Sequence, residues 1–323
     1  MKKLLLIVSF LAILLSNLFK LDAVKAVDTI QQEECSIGYD AIVRIVDNYN
    51  TFRGNGVVYK VDADYMYIIT SSTIVSDSLN YGVIFENEEY KKAVVVGEDE
   101  ENEIAVFKTD KIENYLPACF GNSDYIEKGE IQKIVGYLDK NIAFYNQTTV
   151  NFVGDLVSKD GYENIYKNVI DVEIADKLKG VTVFDGYGRV SGIVSSKAEF
   201  EGSYVIDSNR VLKIADSIVK SGKYEGNYIK YSLVDYSDLN NDLRTKYNVN
   251  GDVTSGVVVV TFKPFAFLFG GLNQGMTIVA VNGVEINSVY EIDKQLLRYT
   301  KGSKVCLKVI KSNGKEKYYF VKI

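Results

Sequence analysis

The chain has 323 residues, 47% of them hydrophobic, with 37 basic against 43 acidic side chains, a net charge of −6 and no histidine. A chain of that length suggests two domains of about 150 residues each, and its acidic balance argues against a nucleic-acid partner. Without imidazole, histidine-dependent hydrolysis is excluded and transition-metal sites lose their commonest ligand, so no metal and no other cofactor is expected.

The first element is an export signal. Met1, Lys2 and Lys3 form a short basic start, and Leu4 to Phe19 is an apolar run broken only by Ser9, Ser16 and Asn17. Val24, Lys25 and Ala26 then offer small residues at the right spacing for cleavage after Ala26. Residues 1–26 therefore read as a signal peptide or, with Leu18, Phe19 and Leu21 extending the run, as a retained membrane anchor. Either way the protein is expected outside the cytoplasm, secreted or anchored, and membrane-associated if the segment is kept. The three cysteines, Cys35, Cys119 and Cys306, are odd in number and far apart, so neither a disulfide framework nor a zinc site is assigned.

From Tyr39 to about Ser196 the chain reads as short strands, among them 41–46, 56–61, 65–70, 82–85, 92–96 and 104–108, rich in Val, Ile and Tyr and separated by Gly, Asn and Asp. Many short strands at close spacing signal an antiparallel barrel or sandwich. Ser208–Ser221 is a predicted helix, capped by Asp207 or Ser208, with Val211, Ala215, Ile218 and Val219 on one face and Gly222 behind it. A second helix is predicted from Val289 to Thr300, where Ser288 and Glu291 form a capping box before Val289, Ile292, Leu296 and Tyr299. The chain closes on a hairpin of residues 303–310 and 316–323.

Several blocks in order resemble the HtrA/Deg serine proteases. Ile68 through Val75 is similar to the family's Ile-Leu-Thr-Asn-Asn-His-Val-Val segment, and Asn102 through Val106 to its Thr-Asp-Leu-Ala-Val. Phe120 through Asp124 resembles Leu-Gly-Asp-Ser-Asp, and Gly188 through Ile193 the strand after the nucleophile. Ile278 through Gly283 is close to the Ile-x-x-Val-Asn-Gly hallmark of the family's PDZ domain. The resemblance implies a mainly β protein, a trypsin-like double antiparallel β-barrel over 36–222 followed by a small α+β PDZ domain over 226–323.

The triad positions carry over one at a time. The histidine position is Thr73, the aspartate position is Glu103, and counting eight from Asp171 puts the nucleophile position at Lys179. A serine hydroxyl needs a base, and that base needs an orienting acid. The chain is accordingly expected to be a pseudoprotease and not an enzyme. The alternative is a serine-type endopeptidase with a non-standard arrangement, such as Ser71 or Ser72 paired with Lys179. The lengthened Glu103 and Lys179 are expected either to meet as an ion pair across the vacated imidazole space, or to part, Lys179 to solvent and Glu103 to nearby backbone.

In the PDZ-like half, Tyr228, Ile229, Lys230 and Tyr231 take the place of the family's Tyr-Leu-Gly-Ile carboxylate loop, with Lys230 in the glycine position. The resemblance implies a groove between the strand starting near Tyr231 and the second helix, with Ile292 and Leu296 against the ligand. The partners implied are protein C-termini or unfolded chains, with a homo-oligomer open.

Overall fold

The computed structural model describes residues 35–76, 79–160, 163–175, 178–197, 202–261 and 271–323. The predicted export segment lies outside them. Among the described residues, no helix is long and apolar enough to cross a membrane.

Strands β1 (Ile42–Asp47), β2 (Phe52–Val61), β3 (Tyr65–Ser71), β4 (Tyr81–Ile84), β5 (Tyr90–Asp99) and β6 (Ile104–Asp110) close into one antiparallel barrel. Strands β7 (Ile131–Tyr137), β8 (Ala143–Asp160), β9 (Glu163–Ile170), β10 (Thr182–Phe184), β11 (Val190–Lys197) and β12 (Ser203–Asp207) close into a second. This is the double barrel of the trypsin-like fold. Closure pairs every strand on both sides and leaves no open edge. The barrels are pinned together by Asn55, fully buried: its Nδ2 donates to the Tyr137 carbonyl (3.1 Å), and its Oδ1 accepts from the Tyr137 amide (2.6 Å).

Helix α1 (Ser208–Ser221) follows as predicted, for the reasons legible in the sequence. Asp207 accepts from the Arg210 amide, and Gly222 takes the left-handed conformation at the far end. Its buried face of Val211, Ile214, Ala215 and Ile218 packs back on the first barrel's core.

The remaining strands, β13 (Leu233–Asp235), β14 (Val257–Val259), β15 (Thr277–Val281), β16 (Val284–Glu285), β17 (Lys304–Ile310) and β18 (Glu316–Lys322), form a third sheet of order β13-β14-β15-β17-β18, with β16 on β15. It carries α2 (Asn241–Tyr247) and α3 (Val289–Leu296). Three expectations need correction. Helix α3 stops at Leu296, short of Thr300. In its capping box Ser288 accepts from the Glu291 amide as expected, but the Glu291 carboxylate returns to the Asn287 amide instead of the Ser288 amide. Cys35 and Cys119 form a disulfide that the cysteine count did not reveal, because the ladder between Ser36 and residues 117–119 places them side by side.

Candidate active-site cleft and peptide groove

Backbone topology brings Thr73, Glu103 and Lys179, the positions that the family resemblance implied for a triad, to one mouth between the barrels. After β3 the chain makes a single tight turn over Ser72–Ile74, capped by Ser71, whose hydroxyl lies 2.7 Å from Thr73 Oγ1. Glu103 sits in a left-handed turn just before β6 (φ 56°), and its carbonyl accepts from the Ser72 amide at 3.2 Å. The pairing of Ser71 with Ile104 across β3 and β6 holds these two positions together. Lys179 lies before β10, where its carbonyl accepts from the Asn55 amide (2.8 Å). Gly180 next to it has φ +70°, and a Cβ there would stand 2.3 Å from the Asn55 carbonyl oxygen. Only glycine fits that approach.

The side chains do not follow the backbone. The Glu103 carboxylate turns into the second barrel. There Oε1 accepts from Lys167 Nζ (2.9 Å) and Oε2 accepts from the Ser195 hydroxyl. Lys167 Nζ also donates to Ser195 Oγ (2.6 Å), so acid, amine and hydroxyl form a closed triangle. Lys179 instead donates to the Thr73 carbonyl (3.2 Å). The expected Glu103–Lys179 ion pair is therefore not formed, and neither is the alternative of Glu103 on backbone. The physical reason is Lys167. At 2% exposure its charge needs a counter-ion, whereas the half-exposed Lys179 keeps water. A dyad of Ser71 or Ser72 with Lys179 is not formed either; the Ser71 hydroxyl is engaged by Thr73.

Lys167 and Ser195 were invisible to the sequence reading. Residues 165–170 of β9 are all buried, so this strand lacks the alternation that would single out an inward lysine.

The second constellation lies in the third sheet. Strand β13 is its edge, and α3 packs alongside. Ile229, Leu233, Val289, Ile292 and Leu296, with Asn227, Tyr228 and Asp293, line a slot of about 20 Å³ between them. Ile229, Ile292 and Leu296 are buried, Tyr228 and Tyr231 half-buried, and Lys230 exposed. The Tyr231 amide closes a tight turn onto the Ile229 carbonyl (2.6 Å), which takes that N–H away from any carboxylate. At the opposite end, Asp235 Oδ1 accepts from the Val289 amide (2.6 Å), and burial pushes the Asp235 carboxyl above its ordinary value.

Helix α3 is also held from behind. Asp293 pairs with Arg210 of α1, both deeply buried, and burial pushes the Asp293 carboxyl up to about 6 against the opposing pull of Arg210. Asp124 takes both Lys294 (3.4 Å) and Arg298 (2.6 Å). The Tyr290 ring meets Tyr166 of β9 at 5.1 Å between centroids. The wall of the slot is thus fixed to the barrels.

No family model matches the chain. Among curated relatives, the protein named serine protease HtrA-like of Staphylococcus epidermidis is 27% identical over 285 residues, 84% of this chain and 48% of its own length. That of Staphylococcus haemolyticus is 27% identical over 317 residues, 93% of this chain and 50% of its own. The chain thus spans about half the length of these curated relatives. Two solved structures share the fold. HtrA-type protease AlgW with tripeptide has a TM-score of 0.63 at 19% identity, covering 88% of this chain and 94% of its own. The same protease with decapeptide has a TM-score of 0.62 at 17% identity, covering 88% and 95%. These comparisons overturn the expectation that the chain is not an enzyme, since its curated relatives are named serine proteases.

Proposed function

Because the chain belongs to the HtrA/Deg family, we propose that it acts outside the cytoplasm and captures peptide ends or unfolded chains in the slot between β13 and α3 of a PDZ-like carboxy-terminal unit. One observation carries this reading: an edge strand with no second partner among the described residues lies beside a helix, and Ile229, Ile292 and Leu296 converge between them. An extended peptide can add to such an edge through main-chain hydrogen bonds, and its alternate side chains enter the slot as α3 and β13 part to widen it. The AlgW structures hold a tripeptide and a decapeptide, which accords with peptide capture. The Cys35–Cys119 disulfide suits an oxidising compartment, in keeping with the amino-terminal apolar run. Fluorescence polarisation with peptides ending in apolar residues tests the reading. Binding that weakens at least about tenfold in Leu296→Ala, a loss on the scale of one buried aliphatic side chain, supports it. Affinity that does not respond to that change removes the slot from the account.

The family's protease activity is a second reading, favoured by the Lys167–Ser195 contact. Since the chain has no histidine, a hydrolytic serine here needs another base, and serine–lysine pairs are one known solution. Lys167 would have to leave Glu103 to serve as that base. A serine-directed phosphonate probe decides the point. Labelling of Ser195, lost in Ser195→Ala together with casein cleavage, supports this reading; cleavage unaffected by Ser195→Ala removes it.

A further inference from the structure

The carboxy-terminal hairpin carries charge of the opposite sign to the chain. Residues 301–323 hold seven lysines and a single acid, Glu316, within a protein of net charge −6. The register of β17 on β18 sorts these residues by face. Val305, Leu307 and Val309 enter the core, so Lys304, Cys306, Lys308 and Ile310 face outward, opposite Lys322, Phe320, Tyr318 and Glu316. Along that outer face, Lys304 and Lys322 come first, then Phe320, then Lys308 with Tyr318.

Two features of this face are costly in water. Phe320 is 73% exposed and Tyr318 59%, on an edge strand where exposed aromatic rings invite association. Lys304 and Lys322 stand directly opposite each other, a like-charge pair that weakens a sheet. Neither has an acidic partner among the described residues, whereas Lys308 has Glu316 at 2.9 Å. An environment that supplies anions beside the lysines and an apolar medium for the rings offsets both costs together. A soluble polyanion supplies only the first, and an apolar protein surface only the second.

We infer that the outer face of the β17–β18 hairpin docks on an anionic phospholipid bilayer, with Phe320 and Tyr318 entering the headgroup–acyl boundary and Lys304 and Lys322, unpaired among the described residues, on lipid phosphates. Aromatic rings settle at that depth, and long lysine stems let their ammonium groups reach the phosphate plane. Each lysine near an anionic surface strengthens binding about fivefold. The inference is independent of the peptide slot and of any chemistry in the cleft.

The chain contains no tryptophan, so Phe320→Trp in the full protein places a lone tryptophan at the proposed contact, excited selectively over the 24 tyrosines. The apolar amino-terminal run can by itself attach the chain to any bilayer. Attachment is therefore not the readout; burial of the ring at position 320 is. With phosphatidylglycerol vesicles the emission shifts to the blue and is quenched by brominated acyl chains, and with phosphatidylcholine vesicles it is not. Adding Lys304→Gln and Lys322→Gln raises the lipid concentration needed for half the shift about 25-fold. Tyr318→Trp gives a second reporter should Phe320→Trp fail to fold. Unchanged emission on both vesicles, an equal shift on the neutral ones, or the same shift with a soluble polyphosphate would each overturn the inference. So would a shift that grows with protein concentration without lipid, which identifies a second copy as the occupant.

Discussion

The inter-barrel cleft and the carboxy-terminal slot keep opposite halves of what a site needs. In the cleft, strand pairing still gathers Thr73, Glu103 and Lys179 at one mouth, but their side chains have found other partners, Glu103 with Lys167 and Ser195, Lys179 with the Thr73 carbonyl. In the slot the apolar side chains remain, with Ile229, Ile292 and Leu296 facing one another, but the surrounding structure holds the space to about 20 Å³. Convergence of positions is a property of topology, and it survives substitution. Chemistry is a property of side chains and counter-charges, and a buried lysine elsewhere can redirect it.

The largest expected effect breaks the cleft's side of this contrast. Lys167→Met removes the counter-charge from Glu103 and should cost about 3–5 kcal/mol of stability, read as a lower denaturant midpoint. Adding Glu103→Gln should recover much of the loss, because the stranded charge goes with it. A single variant as stable as the parent would show that the triangle does not govern where Glu103 points.

A somewhat smaller effect sharpens the slot's side, through the pair that fixes its wall. Burial raises Asp293 from 3.8 to about 6. Between those pH values the folded chain keeps a proton that the unfolded chain has released. The group's contribution is therefore full below about pH 4 and is lost as pH rises through 6, by about 3 kcal/mol for a shift of two units. Arg210 on α1 and the more distant Asp207 are the charges acting on it. Measured against Asp293→Asn, the parent should gain relative stability between pH 7 and pH 4. A difference that is flat with pH would mean that Asp293 stays ionised beside Arg210.

The smallest effect belongs to Lys179. Among the described residues its side chain makes one hydrogen bond, to the Thr73 carbonyl, and that bond is exposed. Lys179→Ala should cost about 1 kcal/mol or less, and a double-mutant cycle with Glu103→Gln should give a coupling near zero. A coupling above about 1 kcal/mol would restore the direct pair between them.

The same contrast governs how much could be read from sequence. Helix α1 was legible because its boundaries are local: Asp207 caps it and Gly222 ends it. Helix α2 was missed because none of its residues is buried, so it has no apolar stripe; only Asn240 at its start and the left-handed Asn248 at its end mark it. Positions 73, 103 and 179 were legible because motifs travel with the backbone. Their partners were not, since Lys167 lies 64 residues from Glu103 and Ser195 92 residues away, on strands whose meeting is purely tertiary. Local motifs pointed to Tyr228, Ile229, Ile292 and Leu296, which line the slot, and to Lys230 and Tyr231, which do not; the clamp on α3, which joins Arg210 and Asp124 to residues 83 and 170 positions away, left no local mark.

Methyl chemical-shift mapping tests the slot most directly. The full chain, labelled at Ile, Leu and Val methyls, is titrated with a library of peptides that end in apolar residues. Perturbations should cluster at Ile229, Leu233, Ile292 and Leu296, with the first barrel's methyls unmoved. If no peptide at millimolar concentration shifts any of those four, or if the shifts gather around the inter-barrel cleft instead, peptide capture between β13 and α3 is wrong.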